Sequence, residues 1–301
     1  MKTLPVLFDT DIGSDIDDAV ALAYLLRQPR CELLGITTVS GEPDKRASLA
    51  QAILKASGRD DVPVHVGLEK PLIVEPLQPR AAQAEVLASR SHRTFETRPT
   101  AVDFLRETIR ARPGEITLLA VGPFSNLGVL FALDPEIPAM LKQLVVMGGV
   151  FYGRGYDQTG AEWNIRNDPH AASIVFSAPI PRVIAVGLDV TTQCQMPSDT
   201  VRERFTQVGP PLDLVLEMAE VWFRHASVIT FHDPLAAALI FEPSLCELEE
   251  QQIEVEMTSP RGLGQTYFHN DAPLKPHEIA RRVDADAFFS HYFATVGPKA
   301  A

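Results

Sequence analysis

The sequence has few cysteines and no long hydrophobic run. Its 301 residues include three cysteines, which lie far apart and form no CxxC pair: Cys31, Cys194 and Cys246. An odd number of widely spaced cysteines is typical of proteins from a reducing compartment. No apolar stretch approaches the roughly 18 residues that a membrane span needs, and no basic and apolar leader precedes the first apolar run. We therefore expect a cytoplasmic protein that does not insert into a membrane.

Positive charge is also scarce. The chain has 27 Lys and Arg against 39 Asp and Glu, which gives a formal net charge of −12. Nucleic acids and anionic membranes are bound through clustered basic side chains, so this balance argues against both as partners and leaves small neutral or cationic ligands. The composition is otherwise that of a globular protein, and the length fits one α/β domain over residues 1–301.

Short apolar runs alternate with stretches of helical periodicity in the first part of the chain. Strands are predicted at Leu4–Phe8 and Cys31–Ser40. Each strand is followed by a helix, the first from Asp18 and the second over Pro43–Lys55. This βαβα order predicts an α/β fold with a mostly parallel, open Rossmann-like sheet and helices on both faces. Because such sheets bind ligands at the carboxyl ends of their strands, we expect the active site there.

The later elements follow from the same patterns. Further strands are predicted at Val62–Gly67, Glu115–Val121, Leu144–Gly149 and Pro181–Thr191, with an edge hairpin from Gln252–Thr258 and Gly264–His269. Further helices are predicted at Thr100–Arg110, Asp168–Phe176, Leu212–His225, Leu235–Ile240 and Asp284–Val296. The stretch Glu69–Pro99 has no clear pattern and is interpreted either as a lid over a binding site or as a surface excursion.

An unusual density of carboxylates follows the first strand. Five lie within ten residues: Asp9, Asp11, Asp15, Asp17 and Asp18. A helix amino terminus favours anions by only about 0.3 to 1 kcal/mol each, so a bound cation relieves their repulsion better. Oxygen ligands suit a hard divalent ion, and the loose geometry of Ca²⁺ fits this loop better than the tight octahedron of Mg²⁺. The alternative is that these side chains merely cap the helix and solvate the loop.

The segment DTDIGSDIDDAVAL, residues 9–22, resembles the DTDxGxDDAxAL motif of the nucleoside hydrolases, ribosyl N-glycosidases that split purine or pyrimidine nucleosides. Two additional residues separate Gly13 from the Asp17–Asp18 pair, a longer form of the motif that leaves Asp15 without an assigned role. Similar segments follow in the family's order: TTVSGE at 37–42, GPFSNLG at 122–128, AEWNIRNDPHAA at 161–172 and HDP at 232–234. The resemblance implies Ca²⁺-dependent hydrolysis of ribonucleosides to ribose and free base, by a homodimer or homotetramer.

The resemblance also implies a metal site and two catalytic residues. The implied metal ligands are Asp11, Asp18, Asp233 and the carbonyl of Val121, the residue before the family's Gly-Pro turn. Asp11 is implied as the base that takes a proton from the attacking water, and His232 as the residue that protonates or orients the departing base.

Four residues are implied to hold the ribose hydroxyls: Asp17, Glu162, Asn164 and Asp233. Glu162 and Asn164 are two positions apart, so in an extended segment they project the same way and offer an acceptor and a donor to neighbouring hydroxyls. Glu42 stands where many family members place an Asn near the ribose ring, and it is retained as a substrate-binding candidate. Tyr156 lies near the position of a further family Asn that contacts the 5′-hydroxyl.

Two other functions are compatible with parts of the pattern. A nucleoside or ribose binder without catalysis would retain the pocket, with Glu42 and Tyr156 altering its chemistry. A Mg²⁺-dependent DxD phosphohydrolase would use Asp9 as nucleophile and Asp11 as acid, but it also needs a phosphate-binding Lys at a later strand end, and no such Lys stands out. Trp222 is interpreted either as a core residue or as a platform for the base.

Overall fold

The computed structural model describes residues 2–153, 160–269 and 271–297. The elements up to the fifth strand are β1 (Leu4–Thr10), α1 (Asp17–Arg27), β2 (Cys31–Thr38), α2 (Pro43–Ala56), β3 (Val64–His65), a 3₁₀ helix (Ala82–Ser89), α3 (Ala101–Ala111), β4 (Thr117–Ala120), α4 (Ser125–Leu133), α5 (Ile137–Met140) and β5 (Gln143–Met147). The next elements are α6 (Trp163–Asn167), α7 (Pro169–Ser177), β6 (Val183–Val186), α8 (Leu188–Thr191), β7 (Gln195–Pro197), α9 (Ser198–Val208), α10 (Leu212–Trp222), β8 (Val228–Thr230) and α11 (His232–Leu239). The last are a 3₁₀ helix (Pro243–Leu245), β9 (Cys246–Gln251), β10 (Ile253–Val255), β11 (Thr266–Phe268), β12 (His277–Val283) and α12 (Ala285–Val296).

Eight strands form the central sheet in the order β3-β2-β1-β4-β5-β6-β12-β9. All neighbours pair in parallel except β9, which runs antiparallel to β12. The order of the first six strands is that of two doubly wound halves that meet between β1 and β4. The predicted open, mostly parallel α/β sheet is confirmed. A ligand crevice is expected at the carboxyl ends of β1 and β4, where the strand order reverses.

Helices cover both faces of this sheet because its central strands are apolar on both sides. In β1, Phe8 packs with buried residues of α1, α2, α10, α11 and α12, whereas its neighbour Leu7 packs with those of α3, α4 and α7 on the opposite face. Both side chains are completely buried. The strand β1 is therefore buried between two layers of helices, and this packing holds its carboxyl end in place.

Two sequence predictions need correction, and two strands of the central sheet were missed. The strand predicted over Pro181–Thr191 ends at Val186, and Leu188–Thr191 is helical. The predicted hairpin exists as β10 and β11, but it forms a separate two-stranded sheet and is not an edge of the central one. The strands β9 and β12, which complete the central sheet, were not predicted.

Two features concern the cysteines and the helices of the described residues. All three cysteines carry free thiols: Cys31, Cys194 and Cys246. Among the helices of the described ranges, none combines the length and apolar character required to cross a bilayer.

Candidate functional site

The acid loop, residues 11–16, connects β1 to α1 at the carboxyl edge of the sheet. Gly13 adopts φ +113°, a conformation that side chains other than glycine rarely tolerate, and it allows the sharp turn into α1. The Thr10 hydroxyl accepts a hydrogen bond from the Ile12 N–H at 3.1 Å and donates one to Asp18 Oδ1. The end of β1 thereby fixes both the start of the loop and the first turn of α1.

Three carboxylates converge where α1 and α11 begin. Asp17, Asp18 and Asp233 each place a carboxylate oxygen within 4.8 Å of the other two. The backbone N–H of Asp233 donates to Asp17 Oδ2 at 3.1 Å, which ties the two helix ends together. All three side chains are buried, at 3 to 4% exposure.

This arrangement is electrostatically unfavourable without a cation. Burial raises the pKa of Asp17, Asp18 and Asp233 well above the ordinary aspartate range, and the neighbouring carboxylates raise it further. Burial also raises the pKa of Asp15 to about 6. A set of buried oxygen donors whose charges repel one another fits a hard divalent cation.

The ends of β4 and β5 supply the opposite wall. The Val121 carbonyl accepts a hydrogen bond from Asn164 Nδ2 at 2.6 Å, and the Met147 carbonyl accepts another from the same nitrogen at 3.1 Å. Glu162 precedes α6 and accepts the N–H groups of Asn164, Ile165 and Gly149 at 2.8, 3.1 and 3.2 Å. Burial raises the pKa of Glu162 to about 7, although these backbone hydrogen bonds oppose the rise.

His232 opens α11 beside the acidic cluster. Its Nδ1 lies 2.7 Å from the Thr191 hydroxyl, at the end of α8. Burial lowers the pKa of His232 to about 4, so the imidazole is neutral near pH 7. A neutral ring held at one nitrogen presents the other nitrogen in a fixed direction.

Together these residues line one cavity of about 330 Å³, a size suited to a small molecule. Eight of the nine predicted site residues face it: Asp11, Asp17, Asp18, Val121, Glu162, Asn164, His232 and Asp233. Further lining residues are Ser14, Asp15, Gln78, Met147, Trp163, Leu188 and Trp222. Gln78 was not predicted because it lies in the unpatterned 69–99 stretch, part of which therefore borders the cavity.

Glu42 is the predicted site residue that does not line the cavity. Its Oε2 accepts the Ala81 N–H at 2.9 Å, and its Oε1 accepts a hydrogen bond from Lys45 Nζ at 2.5 Å. The residue that precedes α2 thus anchors the chain near Ala81, and this geometry gives no support to a direct substrate contact. Tyr156, the other departure from the family pattern, lies outside the described residues.

Asp9 also lies outside the cavity. Its Oδ1 accepts hydrogen bonds from the Thr37 hydroxyl and from Asn126 Nδ2, both at 2.7 Å, and its side chain is 1% exposed. Burial raises its pKa to about 7. A carboxylate enclosed in this way cannot attack a phosphate, which argues against the DxD phosphohydrolase.

The structure and the sequence are similar to those of known nucleoside hydrolases. A plant nucleoside hydrolase, PpNRh1, has a TM-score of 0.86 at 26% identity, covering 97% of this chain and 98% of that chain. A purine-preferring ribonucleoside hydrolase from Gardnerella vaginalis shares the fold, with a TM-score of 0.84 at 24% identity over 97% and 98% of the two chains. The pyrimidine-specific ribonucleoside hydrolase RihA of Klebsiella pneumoniae is 32% identical, covering 95% of this chain and 96% of the relative.

These similarities define the class of the protein as an N-ribosyl hydrolase. The family model described as inosine-uridine preferring nucleoside hydrolase matches residues 6–290. The chain belongs to this family, and it is an enzyme that acts on ribonucleosides. The resemblance inferred from its motifs is confirmed over nearly the whole chain.

Proposed function

We propose that the enzyme hydrolyses the N-glycosidic bond of ribonucleosides in a Ca²⁺-dependent reaction at the described cavity, releasing ribose and free base. The observation that carries this proposal is the convergence of the buried carboxylates of Asp17, Asp18 and Asp233 opposite Glu162 and Asn164. One wall of the cavity offers oxygen donors for a cation, and the other offers an acid and an amide for sugar hydroxyls.

The proposed metal ligands are Asp11, Asp18, Asp233 and the Val121 carbonyl. Asp17 also lies in the carboxylate cluster, and in this proposal it binds a ribose hydroxyl. A hard divalent cation in this position lowers the pKa of a water ligand and holds the ribose diol. Its all-oxygen donors, drawn from two helix starts and two strand ends, fit the variable coordination of Ca²⁺.

Asp11 acts as the base that accepts a proton from the attacking water. Its side chain lines the cavity next to the cluster, and burial raises its pKa, which strengthens it as a base. The positive charge of Arg46 opposes this rise. Arg46 thus favours the ionised form of Asp11, which is the form that a base requires.

Asp17, Asp233, Glu162 and Asn164 hold the ribose hydroxyls. The backbone N–H groups that bond Glu162 fix the direction of its carboxylate before substrate arrives. Prior fixation lowers the entropy that binding would otherwise cost. The Asn164 amide donates to the carbonyl of Val121, a proposed metal ligand, and thereby links the sugar-binding residues to the metal site.

His232 contacts the departing base. Because its imidazole is neutral near pH 7, we propose that it orients the base through a ring N–H. When the Thr191 hydroxyl donates to Nδ1, the ring carries its proton at Nε2, where it can donate to the base.

The test is the release of reducing sugar from uridine, cytidine, inosine and adenosine, with Ca²⁺ present and after chelation. Uridine and cytidine come first because the Klebsiella relative is named as pyrimidine-specific. We expect ribose release in the Ca²⁺-loaded sample and its loss after chelation, with recovery on adding Ca²⁺ back. Equal release after complete metal removal would refute the Ca²⁺ dependence. Matched samples with Mg²⁺ distinguish the two hard cations.

We also propose that residues 1–301 form a single domain and that the enzyme is a cytoplasmic homodimer or homotetramer. The free cysteines support a reducing compartment. Light scattering on the purified protein, with a monomer mass of 33.0 kDa, measures the oligomeric state directly.

A further inference from the structure

We propose that Arg46 is a positioning residue that holds the acid loop in the shape at which its carboxylates converge. Arg46 lies on α2, and its side chain is completely buried although arginine is almost always charged. It does not line the cavity, so it acts on the site through the loop backbone. For its effect on metal binding, the proposal rests on the proposed function.

The guanidinium group bonds the acid loop at three atoms. Its Nη1 donates to the Asp11 carbonyl, to the Ile12 carbonyl at 3.1 Å and to the Ser14 hydroxyl at 2.9 Å. The Nε donates to the Gly41 carbonyl at 2.8 Å, which fixes the guanidinium group against the segment that follows β2. The Asp11 and Ile12 carbonyls are thus bonded by a side chain that does not itself line the cavity.

A second buried side chain supports the same loop. Gln83, at the start of the 3₁₀ helix, is completely buried, and its Nε2 donates to the Ser14 and Asp15 carbonyls at 3.1 Å each. Its backbone N–H donates to the Gly13 carbonyl at 2.9 Å. Every residue of the loop from Asp11 to Asp15 therefore has a backbone or side-chain atom bonded to either Arg46 or Gln83.

The chemistry of arginine explains why this residue type stands here. Its planar group directs five N–H donors in fixed directions, whereas lysine offers a compact charge with three donors. Removing a charged side chain from water costs free energy, and replacing buried ion pairs by apolar residues of similar size often leaves a protein equally or more stable. We therefore attribute the presence of a buried arginine at position 46 to its hydrogen bonds with the acid loop. The carboxylates of Asp11 and Asp18 interact favourably with its positive charge.

The decisive variant is Arg46→Lys, because it keeps the positive charge and removes the fixed set of donors. Residues that orient metal ligands typically contribute 10- to 100-fold to metal affinity or activity. We expect Arg46→Lys to bind Ca²⁺ at least about tenfold more weakly in calorimetric titration, and to lower kcat more than it raises KM. The matched control is Arg106→Lys, whose partner Asp134 lies away from the site. All measurements are made at a temperature at which each variant is folded.

Amide hydrogen exchange of residues 11–16 provides a readout that does not depend on activity. We expect slow exchange in the wild-type protein with and without Ca²⁺, because Arg46 holds the loop in both states. In Arg46→Lys, exchange should quicken in the metal-free protein and slow again with Ca²⁺. Loop amides that become protected in the wild type only when Ca²⁺ binds would overturn the proposal, even if no Arg46 variant folds.

The two proposals fail in different ways. Wild-type Ca²⁺ affinity and wild-type loop exchange in Arg46→Lys would overturn the role of Arg46 and leave the proposed function intact. A wild-type enzyme that binds no Ca²⁺ would refute the proposed metal, while exchange in the metal-free proteins would still decide whether Arg46 holds the loop.

Discussion

Replacing Asp233 by asparagine should stabilise the metal-free enzyme and greatly reduce its stabilisation by Ca²⁺. The Asp233 carboxylate faces four other acidic groups, and their charges together with burial raise its pKa well above the ordinary range. Asparagine has nearly the same shape, and the backbone N–H of residue 233 that bonds Asp17 is unaffected. The substitution therefore removes a repelled charge with little change in packing.

The magnitude follows from the spacing of the cluster. Two full charges at the 4.8 Å limit that joins Asp17, Asp18 and Asp233 repel by about 3.5 kcal/mol at an effective dielectric constant of about 20. Raised pKa values mean that part of this charge is already neutralised by protons, so we expect a gain of about 2 kcal/mol in the free energy of unfolding. For 301 residues, that gain corresponds to a rise of about 3 °C in Tm.

Calcium should reverse the order of the two proteins. At a hundredfold excess over its dissociation constant, a ligand stabilises the native state by about 2.7 kcal/mol. The wild type should gain that amount, or about 4 °C, and Asp233→Asn should gain much less because it lacks a proposed ligand. Thermal unfolding of both proteins with and without Ca²⁺ measures this crossing, and ribose release should be lost in the variant.

The control substitution is Asp271→Asn, an exposed aspartate away from the cluster. It should leave Tm and the Ca²⁺ response unchanged. A metal-free Asp233→Asn protein that is no more stable than the wild type would show that repulsion in the cluster is negligible. Equal stabilisation of both proteins by Ca²⁺ would show that Asp233 is not a ligand.

Three further substitutions test other parts of the structure. Thr191→Val removes the hydroxyl at His232 Nδ1. Steady-state kinetics should show a kcat about tenfold lower with little change in KM, because a tenfold loss corresponds to the free energy of about one hydrogen bond. Burial lowers the pKa of His277 to about 4. Between about pH 6.5 and pH 4 the unfolded chain binds a proton at this residue and the folded chain does not, so the free energy of unfolding falls by up to about 3 kcal/mol over that range. The variant His277→Asn keeps a hydrogen-bond acceptor but does not titrate in this range. Its free energy of unfolding, measured with denaturant, should therefore depend less on pH between about 6.5 and 4. Asn126→Ala deprives the buried Asp9 of a donor and should cost about 2 kcal/mol, measured as a Tm about 3 °C lower.

The central sheet was predictable where strands are buried on both faces. Runs such as the one that became β1 are continuously apolar and are followed by helical periodicity, so their type and order are readable locally. The edge strand β9 has the sequence CELEEQ, with three glutamates of low strand propensity. Charges of this kind protect an edge from pairing with other chains, and they also conceal the strand from a search for apolar runs.

The misassigned end of the predicted strand Pro181–Thr191 has a tertiary cause. Its residues GLDVT are compatible with a strand, but the Asp189 carboxylate accepts the N–H groups of Phe151 and Tyr152 at 2.7 and 2.9 Å. These partners come from the segment after β5, which a local pattern cannot reveal. The resulting helix α8 carries Thr191 to His232, so the element that sequence reasoning misassigned is one that shapes the site.

The motifs predicted most of the residues around the cavity but not the contacts among them. Asp17 and Asp233 are 216 positions apart and meet because β1 and β8 both lead into helices that begin beside each other. The resemblance implies that Asp17 holds a ribose hydroxyl, and the structure shows that its carboxylate lies close to those of Asp18 and Asp233. A motif specifies residue types and order, and the spacing between charges depends on how the helix starts pack.

Glu42 is the predicted substrate-binding residue whose side chain does not line the cavity. It occupies φ +58° before α2, and its carboxylate accepts a hydrogen bond from the Ala81 N–H. The adjacent Gly41 N–H donates to the carbonyl of Gln78 at 3.1 Å, and the side chain of Gln78 lines the cavity. The hydrogen bonds of Glu42 and Gly41 thus connect the start of α2 to the segment that contains Gln78.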